Sequence, residues 1–363
     1  PGAPCNPARR EGRRKLTGND RLSGARVLVT GGCGYIGSHT VLALLDRGAK
    51  PVVLDDLSNG DTRLLAPDVP LLQADCGDSG ALNSAFDNYK FDAVIHFAGK
   101  IIVTESMAEP DAYYRANTVA SHALLSFVRA RKLPLVFSST AAVYGVPEAS
   151  GPIQEEVQGW PISPYGRSKL ATEWMLRDFA AADAAFRYVA LRYFNVVGAD
   201  AKGRAGQMGR QVTHLIKAAS QVAAGLQKEL TIFGNDYPTR DGTCERDYVH
   251  VSDLADAHVL ALQYLLNGGQ PVALNCGYGR GYTILEVLKE YERVLGEPLP
   301  FRYGPRRPAD PPTLVAATDK IAMTLGWKPR YMDLGLAIQS ALDWEKIIAG
   351  RLHNRMPGPH TTG

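Results

Sequence analysis

VLVTGGCGYIGSH, residues 27–39, runs from a short apolar segment straight into a cluster of glycines. The cluster holds Gly32-x-Gly34-x-x-Gly37 and, overlapping it, Gly31-x-x-Gly34-x-x-Gly37. Between a strand and a helix, such glycines serve a tight turn, close backbone approach to a pyrophosphate and close packing of helix on strand. The spacing predicts a strand over Arg26–Thr30 and a helix after Gly37. That helix would offer free N–H groups and the positive end of its dipole to phosphates. A second apolar run, PVVLDD at 51–56, ends in acid at the interval where such folds place a ribose ligand. Asp55 accepts hydrogen bonds from a ribose 2′-OH and repels a 2′-phosphate, which favours NAD over NADP.

Further apolar runs follow at Leu71–Ala74, Ala93–Phe97, Leu135–Ser138 and Val189–Phe194, with helical stretches between them. Short strands separated by helices read as repeated βαβ units, and handedness then favours a doubly wound sheet. The expected class is α/β: a doubly wound parallel sheet (Rossmann) over 25–198, with a smaller C-terminal substrate-binding lobe over 199–348. After Gly198 the rhythm breaks into Gly- and Pro-rich loops such as GNDYPTRDGT (234–243) and YGPRRPADPP (303–312). Some of these segments are free to return to the first domain. Asp75-Cys76 and Phe97-Ala98-Gly99 close the third and fourth strands, where a parallel sheet keeps its ligand crevice.

Charge is unevenly placed. Arg9, Arg10, Arg13, Arg14, Lys15 and Arg21 against Glu11 and Asp20 give the lead, residues 1–24, a charge of +4 out of a total of +3. The body therefore lacks a nucleic-acid signature, and the lead is expected to be a solvated, poorly ordered terminus. A polar tail, 349–363, is expected to fray. Five scattered cysteines form no C-x-x-C, so neither a disulfide framework nor a metal site is expected. No run long enough to span a membrane and no hydrophobic leader stands in the sequence. The expectation is a cytoplasmic protein without membrane or nucleic-acid partners.

SPYGRSK, residues 163–169, adds chemistry to this frame. Ser163 suits an N-cap, Pro164 the first helical position, and Leu170, Trp174 and Phe179 follow at roughly helical spacing. Tyr165 and Lys169 stand at i and i+4, on one face of that helix. Together with GGCGYIGSH, DDLSNG (55–60), HFAG (96–99), FSSTAAVYG (137–145), LRYFNVVGA (191–199), FGNDYPTRDGT (233–243) and RDYVHVSDLADAH (246–258), the segment resembles the UDP-glucose (UDP-galactose) 4-epimerases, extended members of the short-chain dehydrogenase/reductase superfamily. The likeness runs from Ala25 to Ile348.

The resemblance implies C4 epimerisation of a UDP-sugar through a 4-keto intermediate, with NAD as cofactor and a homodimer as the assembly. Tyr165 is then the base that takes the 4-OH proton, and Lys169 and the nicotinamide charge bring its hydroxyl toward neutrality. Lys169 also holds the nicotinamide ribose, and Thr140 bonds the sugar 4-OH. For the cofactor the resemblance adds Tyr35, Ile36, Asn59, Gly60, Asn117 and Phe194 to Gly31, Gly34, Gly37, Asp55, Asp75, Cys76, Phe97, Ala98 and Gly99. For the UDP-sugar it implies Asn195, His214, Leu215, Thr231, Phe233, Arg246, Arg307 and Asp310, and places sugar selectivity at Leu314.

Departures from the pattern are local. The family sets a cofactor-contacting lysine two residues past the HFAG glycine, where Ile101 stands here and Lys100 comes one place early. Ala116-Asn117 replaces a usual Asn-Asn. His214 fills a position that is often Asn, and either bonds the nucleotide or faces solvent. The rivals are an epimerase of a UDP-pentose, hexuronate or N-acetylhexosamine, a nucleotide-sugar 4,6-dehydratase and a non-catalytic NAD sensor. Dehydration needs an acid and a base at C5 and C6, which the dehydratase family usually provides as Asp-Glu directly after the Thr of its SST segment. Ala141-Ala142 stands there, and alanine transfers no proton.

Overall fold

The computed structural model describes residues 21–147, 151–208 and 214–353. The basic lead up to Asp20 and the tail after His353 lie outside the described residues. In chain order the first half holds β1 (Arg26–Thr30), α1 (Tyr35–Leu45), β2 (Lys50–Asp55), β3 (Leu71–Gln73), α2 (Ser79–Tyr89), β4 (Ala93–His96), α3 (Val103–Ala108), α4 (Pro110–Tyr114), α5 (Ala120–Ala130), β5 (Leu135–Ser138), α6 (Pro164–Ala182) and β6 (Tyr188–Tyr193). The second half holds β7 (Asn195–Val197), α7 (Leu215–Ala223), β8 (Leu230–Phe233), β9 (Glu245–His250), α8 (Val251–Leu266), β10 (Val272–Cys276), β11 (Gly281–Thr283), α9 (Ile284–Leu295), β12 (Phe301–Gly304), β13 (Thr313–Leu314), α10 (Asp319–Leu325) and α11 (Leu334–His353).

Seven parallel strands form the main sheet in the order β10-β6-β5-β4-β1-β2-β3. Burial on both faces explains why its strands read as unbroken apolar runs. One face packs Val41 and Leu44 of α1 with Leu254 and Leu262 of α8, while the other packs Leu82 of α2, Leu124 of α5 and Leu176 of α6. A separate core gathers Ile216, Val287 and Ile338 from α7, α9 and α11. Strand order reverses beside β1, so the tips of β1 and β4 open the crevice in which such sheets bind ligands.

Several expectations need correction in detail. α1 begins at Tyr35 rather than after Gly37. Gly37 lies inside its first turn, where a Cβ would stand 2.2 Å from the Gly31 carbonyl oxygen, so glycine lets the helix sit directly on the strand. β10 comes from the late part of the chain and closes the sheet beside β6. α11 continues through the start of the supposed tail to His353. Ser163 does cap α6, accepting from Gly166 N at 3.1 Å, with Pro164 next. Trp174, however, is exposed rather than part of the helix's buried stripe.

Burial also sets an acid limit. Buried His39, His96, His250 and His258 are held down to about 4, 3, 3 and 4, with burial the largest cause. They stay neutral in the folded chain while the unfolded chain takes up protons near its ordinary histidine value. Their contribution is thus complete above about pH 6.5 and is lost as pH falls toward the folded values, by about 1.4 kcal/mol per residue per unit. Asp247, pushed up to about 6 by burial, acts in the opposite sense as a single group. The urea midpoint is expected to drop between about pH 7.5 and about pH 5. A midpoint unchanged over that range would mean that these rings take up protons without unfolding.

Candidate active site

A cleft of about 750 Å³ runs along the C-terminal tips of the parallel strands and on into the second lobe. Its nucleotide end is built from β1, the first turn of α1 and the tip of β2. Gly34 caps α1 in an extended conformation without a side-chain bond, and the first intrahelical bond there is Ser38 N to Gly34 O at 2.9 Å. The Tyr35, Ile36 and Gly37 amides precede that bond, and all three residues line the cleft, as an anion requires. Asp55 lies at the tip of β2, its carboxylate aimed by Cys33 N and Leu57 N, each at 2.9 Å. Gly60 passes so close that a Cβ would stand 2.8 Å from Asp55 Oδ1. Amide donors for a pyrophosphate and a fixed carboxylate for a ribose fit a dinucleotide. Asn59, Asp75, Cys76, Phe97, Ala98, Gly99 and Lys100 complete this part of the wall.

At the centre, Tyr165 and Thr140 face the cleft together, with Phe194 and Asn195 beyond them. Burial pushes the Tyr165 hydroxyl up, and the hydrogen bond from Thr140 pulls it back. Thr140 caps a 3-10 turn over Ala141–Tyr144, and its Oγ accepts from Ala142 N at 3.2 Å. Lys169 lies behind the wall rather than on it. Its Nζ donates to Ser138 O at 3.1 Å and stands over the Phe137 ring, and burial brings its ammonium down to about 8. The resemblance gave Lys169, together with the nicotinamide charge, the task of lowering Tyr165; the protein group that offsets burial there is Thr140.

Asn117 is also behind the wall. A π-helical turn over Arg115–Val119 buries it, and it accepts from Lys100 N at 2.7 Å while donating to Lys100 O at 2.9 Å. It therefore holds the loop that carries Lys100. The Lys100 ammonium pairs with Glu105 at 2.8 Å, and Ile101 beside it is exposed.

At the far end Arg246, on β9, is almost wholly buried and bonded to Asp310, to Glu245 O at 2.7 Å, to Pro311 O at 2.6 Å and to Pro312 O at 3.2 Å. Arg307 lies on the wall with its guanidinium 4.0 Å from the centre of the Phe233 ring. Phe233 itself backs Arg307, and Thr231 pairs with Arg302 in the β8–β12 ladder; neither reaches the cleft. His214 and Leu215 do reach it. Gln207 donates to His214 Nδ1 at 2.7 Å, which leaves the Nε2 proton free for a ligand. Asp310 and Leu314 close this end.

The sequence pattern of the NAD dependent epimerase/dehydratase family matches residues 27–277. The chain belongs to that family. It is 53% identical over 324 residues to the UDP-glucose 4-epimerase of Azospirillum brasilense, covering 89% of this chain and 92% of that protein. The crystal structure of a UDP-glucose 4-epimerase from Brucella ovis in complex with NAD matches with a TM-score of 0.84 at 43% identity, over 88% of this chain and 98% of that one. One from Bifidobacterium longum in complex with NAD+ and UDP matches with a TM-score of 0.84 at 37% identity, over 89% and 98%.

Within this epimerase/dehydratase chain, the sequence reading missed Tyr193, Tyr113 and Gln207. Tyr193 lines the cleft at the end of β6 and receives a bond from Ser138 Oγ at 2.8 Å. Its signal was present in LRYFN, between residues that were picked. Tyr113 meets Tyr165 edge-on at 6.4 Å, and Gln207 carried no sequence signal at all.

Asp55→Ala provides a test at the nucleotide end. Loss of a fixed carboxylate removes repulsion toward a 2′-phosphate, so the ratio of NADP to NAD affinity is expected to rise by about tenfold or more. Equilibrium titration of both nucleotides reads it, and an unchanged ratio would remove Asp55 from ribose recognition.

Proposed function

We propose that this protein interconverts UDP-glucose and UDP-galactose by NAD-dependent C4 epimerisation through a 4-keto sugar. The observation that carries the reading is one cleft with helix-end amides and Asp55 at one extremity, arginines at the other, and Tyr165 with Thr140 between them. NAD, when bound, supplies the hydride acceptor and donor for C4 and a positive ring beside the site. Tyr165 takes the 4-OH proton and returns it, with Thr140 donating to the phenolate. Lys169 holds the nicotinamide ribose from behind Gly99, where a Cβ would stand 3.7 Å from its Nζ, and Asn117 acts through Lys100. Arg307 reaches the diphosphate, Arg246 fixes the loop that bears it, and His214 donates from Nε2 to the base. Ala141 and Ala142 line the cleft beside Thr140, which leaves no proton-transferring side chain for a dehydratase there.

The reading treats 25–198 with α8 and β10 as the cofactor lobe and the remainder up to Ile348 as the sugar-nucleotide lobe. It includes a homodimer through α5 and α6, near which Val119 and Trp174 expose apolar surface. A cytoplasmic location suits the free Cys33, Cys76, Cys244 and Cys276, and among the described residues no helix is long and apolar enough to cross a membrane. Incubation with UDP-glucose, UDP-galactose, their N-acetylated forms and UDP-pentoses, without added reductant, is expected to interconvert the first two. Products confined to the pentoses, or a 4-keto-6-deoxy sugar, would overturn it.

A further inference from the structure

We propose that Glu173 is a positioning residue, which through Ser139 holds Thr140 against Tyr165; the inference rests on the catalytic reading of those two residues. Tyr165, Lys169 and Glu173 stand at i, i+4 and i+8 of α6 and so share a face. Glu173 is buried, and its Oε1 accepts from Ser139 Oγ at 2.5 Å. The rest of the carboxylate is taken up by Arg192, Nη2 to Oε2 at 2.6 Å and Nε to Oε1 at 3.0 Å.

Ser139 sits between two groups that the site uses. Its predecessor Ser138 accepts from Lys169 through its carbonyl, and its successor is Thr140. β5 ends at Ser138, and the bond from Ser139 N to Leu191 O at 2.9 Å continues the ladder by one step. Beyond it the chain turns into the 3-10 turn that Thr140 caps, so on the strand side of Thr140 the short, charge-assisted bond to Glu173 is the nearest side-chain restraint. Ala142 N occupies one lone pair of Thr140 Oγ, and Thr140 and Tyr165 line the cleft together, Thr140 being the neighbour that offsets burial at the Tyr165 hydroxyl. A loosened Ser139 lets Thr140 drift, and Tyr165 then loses the donor that favours its phenolate.

The other groups around Tyr165 are placed so as to leave this contact in control. Tyr113 of α4 meets it by its ring edge, and its hydroxyl donates to Ile102 O at 2.6 Å. Tyr193 at the end of β6 accepts from Ser138 Oγ, and Lys100 pairs with Glu105 of α3. From α5, His122 and Arg129 lie against Phe179, far along α6. Arg192 of β6 and Tyr144 of the 3-10 turn belong to the Glu173 cluster, and Arg115 of the π turn pairs with Asp111 in solvent. Lys169, on the same helix, points to Ser138.

The test is the pH profile of kcat for UDP-galactose epimerisation. Ser139→Ala is expected to move its acid limb up by about one unit and to lower kcat near neutrality about tenfold, with KM within about twofold. Glu173→Gln is expected to displace the profile in the same direction, whereas Tyr144→Phe, which removes a hydroxyl bonded to Arg192 and Asn275 but to neither Glu173 nor Ser139, is expected to lower Tm while keeping the wild-type profile. A Ser139→Ala profile that superimposes on wild type, or a Tyr144→Phe profile displaced as far, would overturn the inference. Wild-type protein that epimerises nothing would instead remove the catalytic reading, and this inference with it.

Discussion

Tyr165→Phe is expected to lower kcat for the interconversion by about 10²–10⁴, with the fold and NAD content unchanged. The ring remains, so its packing against Tyr113 persists; only the oxygen that takes the 4-OH proton is lost. A tyrosine ordinarily titrates near 10, so phenolate at neutrality demands about three units, or about 4 kcal/mol. Burial makes that demand larger, and the Thr140 bond offsets part of it. Turnover of UDP-galactose with retained NAD, measured after denaturing release, decides the matter. Near-normal turnover would remove Tyr165 as the base.

Arg246→Ala carries the second large effect, and it should appear in KM before kcat. Arg246 is bound to Asp310 and to the carbonyls of Glu245, Pro311 and Pro312, so it closes the loop on which Arg307 approaches the cleft. Truncation of one partner in a buried, hydrogen-bonded charge pair costs about 2–5 kcal/mol, enough for roughly a hundredfold rise in KM. Arg246→Lys is expected to restore little of it, since an ammonium lacks the planar fork that satisfies a carboxylate and several carbonyls together. A KM within about threefold of wild type in Arg246→Ala would show that the loop closes without it.

Much of this protein is legible as local order. β1 and β5 coincide with their expected limits because strands buried on both faces must be apolar throughout, and the Ser163-Pro164 start of α6 follows from capping chemistry within a few residues. The Gly31–Gly37 turn and Asp55 are readable for the same reason: each answers a steric or charge demand set by its immediate neighbours. RDYVHVSDLADAH shows where local reading stops. Asp247 accepts from Tyr278 N and Gly279 N at 2.8 Å and from Ala316 N at 3.2 Å. Asp253 accepts from Tyr331 N at 2.8 Å and Arg330 N at 2.9 Å. These carboxylates stitch distant segments together, and nothing in the motif's own spacing names their partners.

Chain order alone thus settled the alternation of strand and helix, the glycine-rich turn between β1 and α1 and the Tyr165–Lys169 face, since each depends on residues within one or two turns. Folding in three dimensions decided the rest: that β10 returns to the parallel sheet, that Lys169 and Asn117 stand behind the wall, that Phe233 serves Arg307, and that Glu173 reaches Ser139. The physical reason is range. Propensity and periodicity act along the backbone, whereas a buried polar atom takes whichever partner packing brings to within about 3 Å, however far away in sequence.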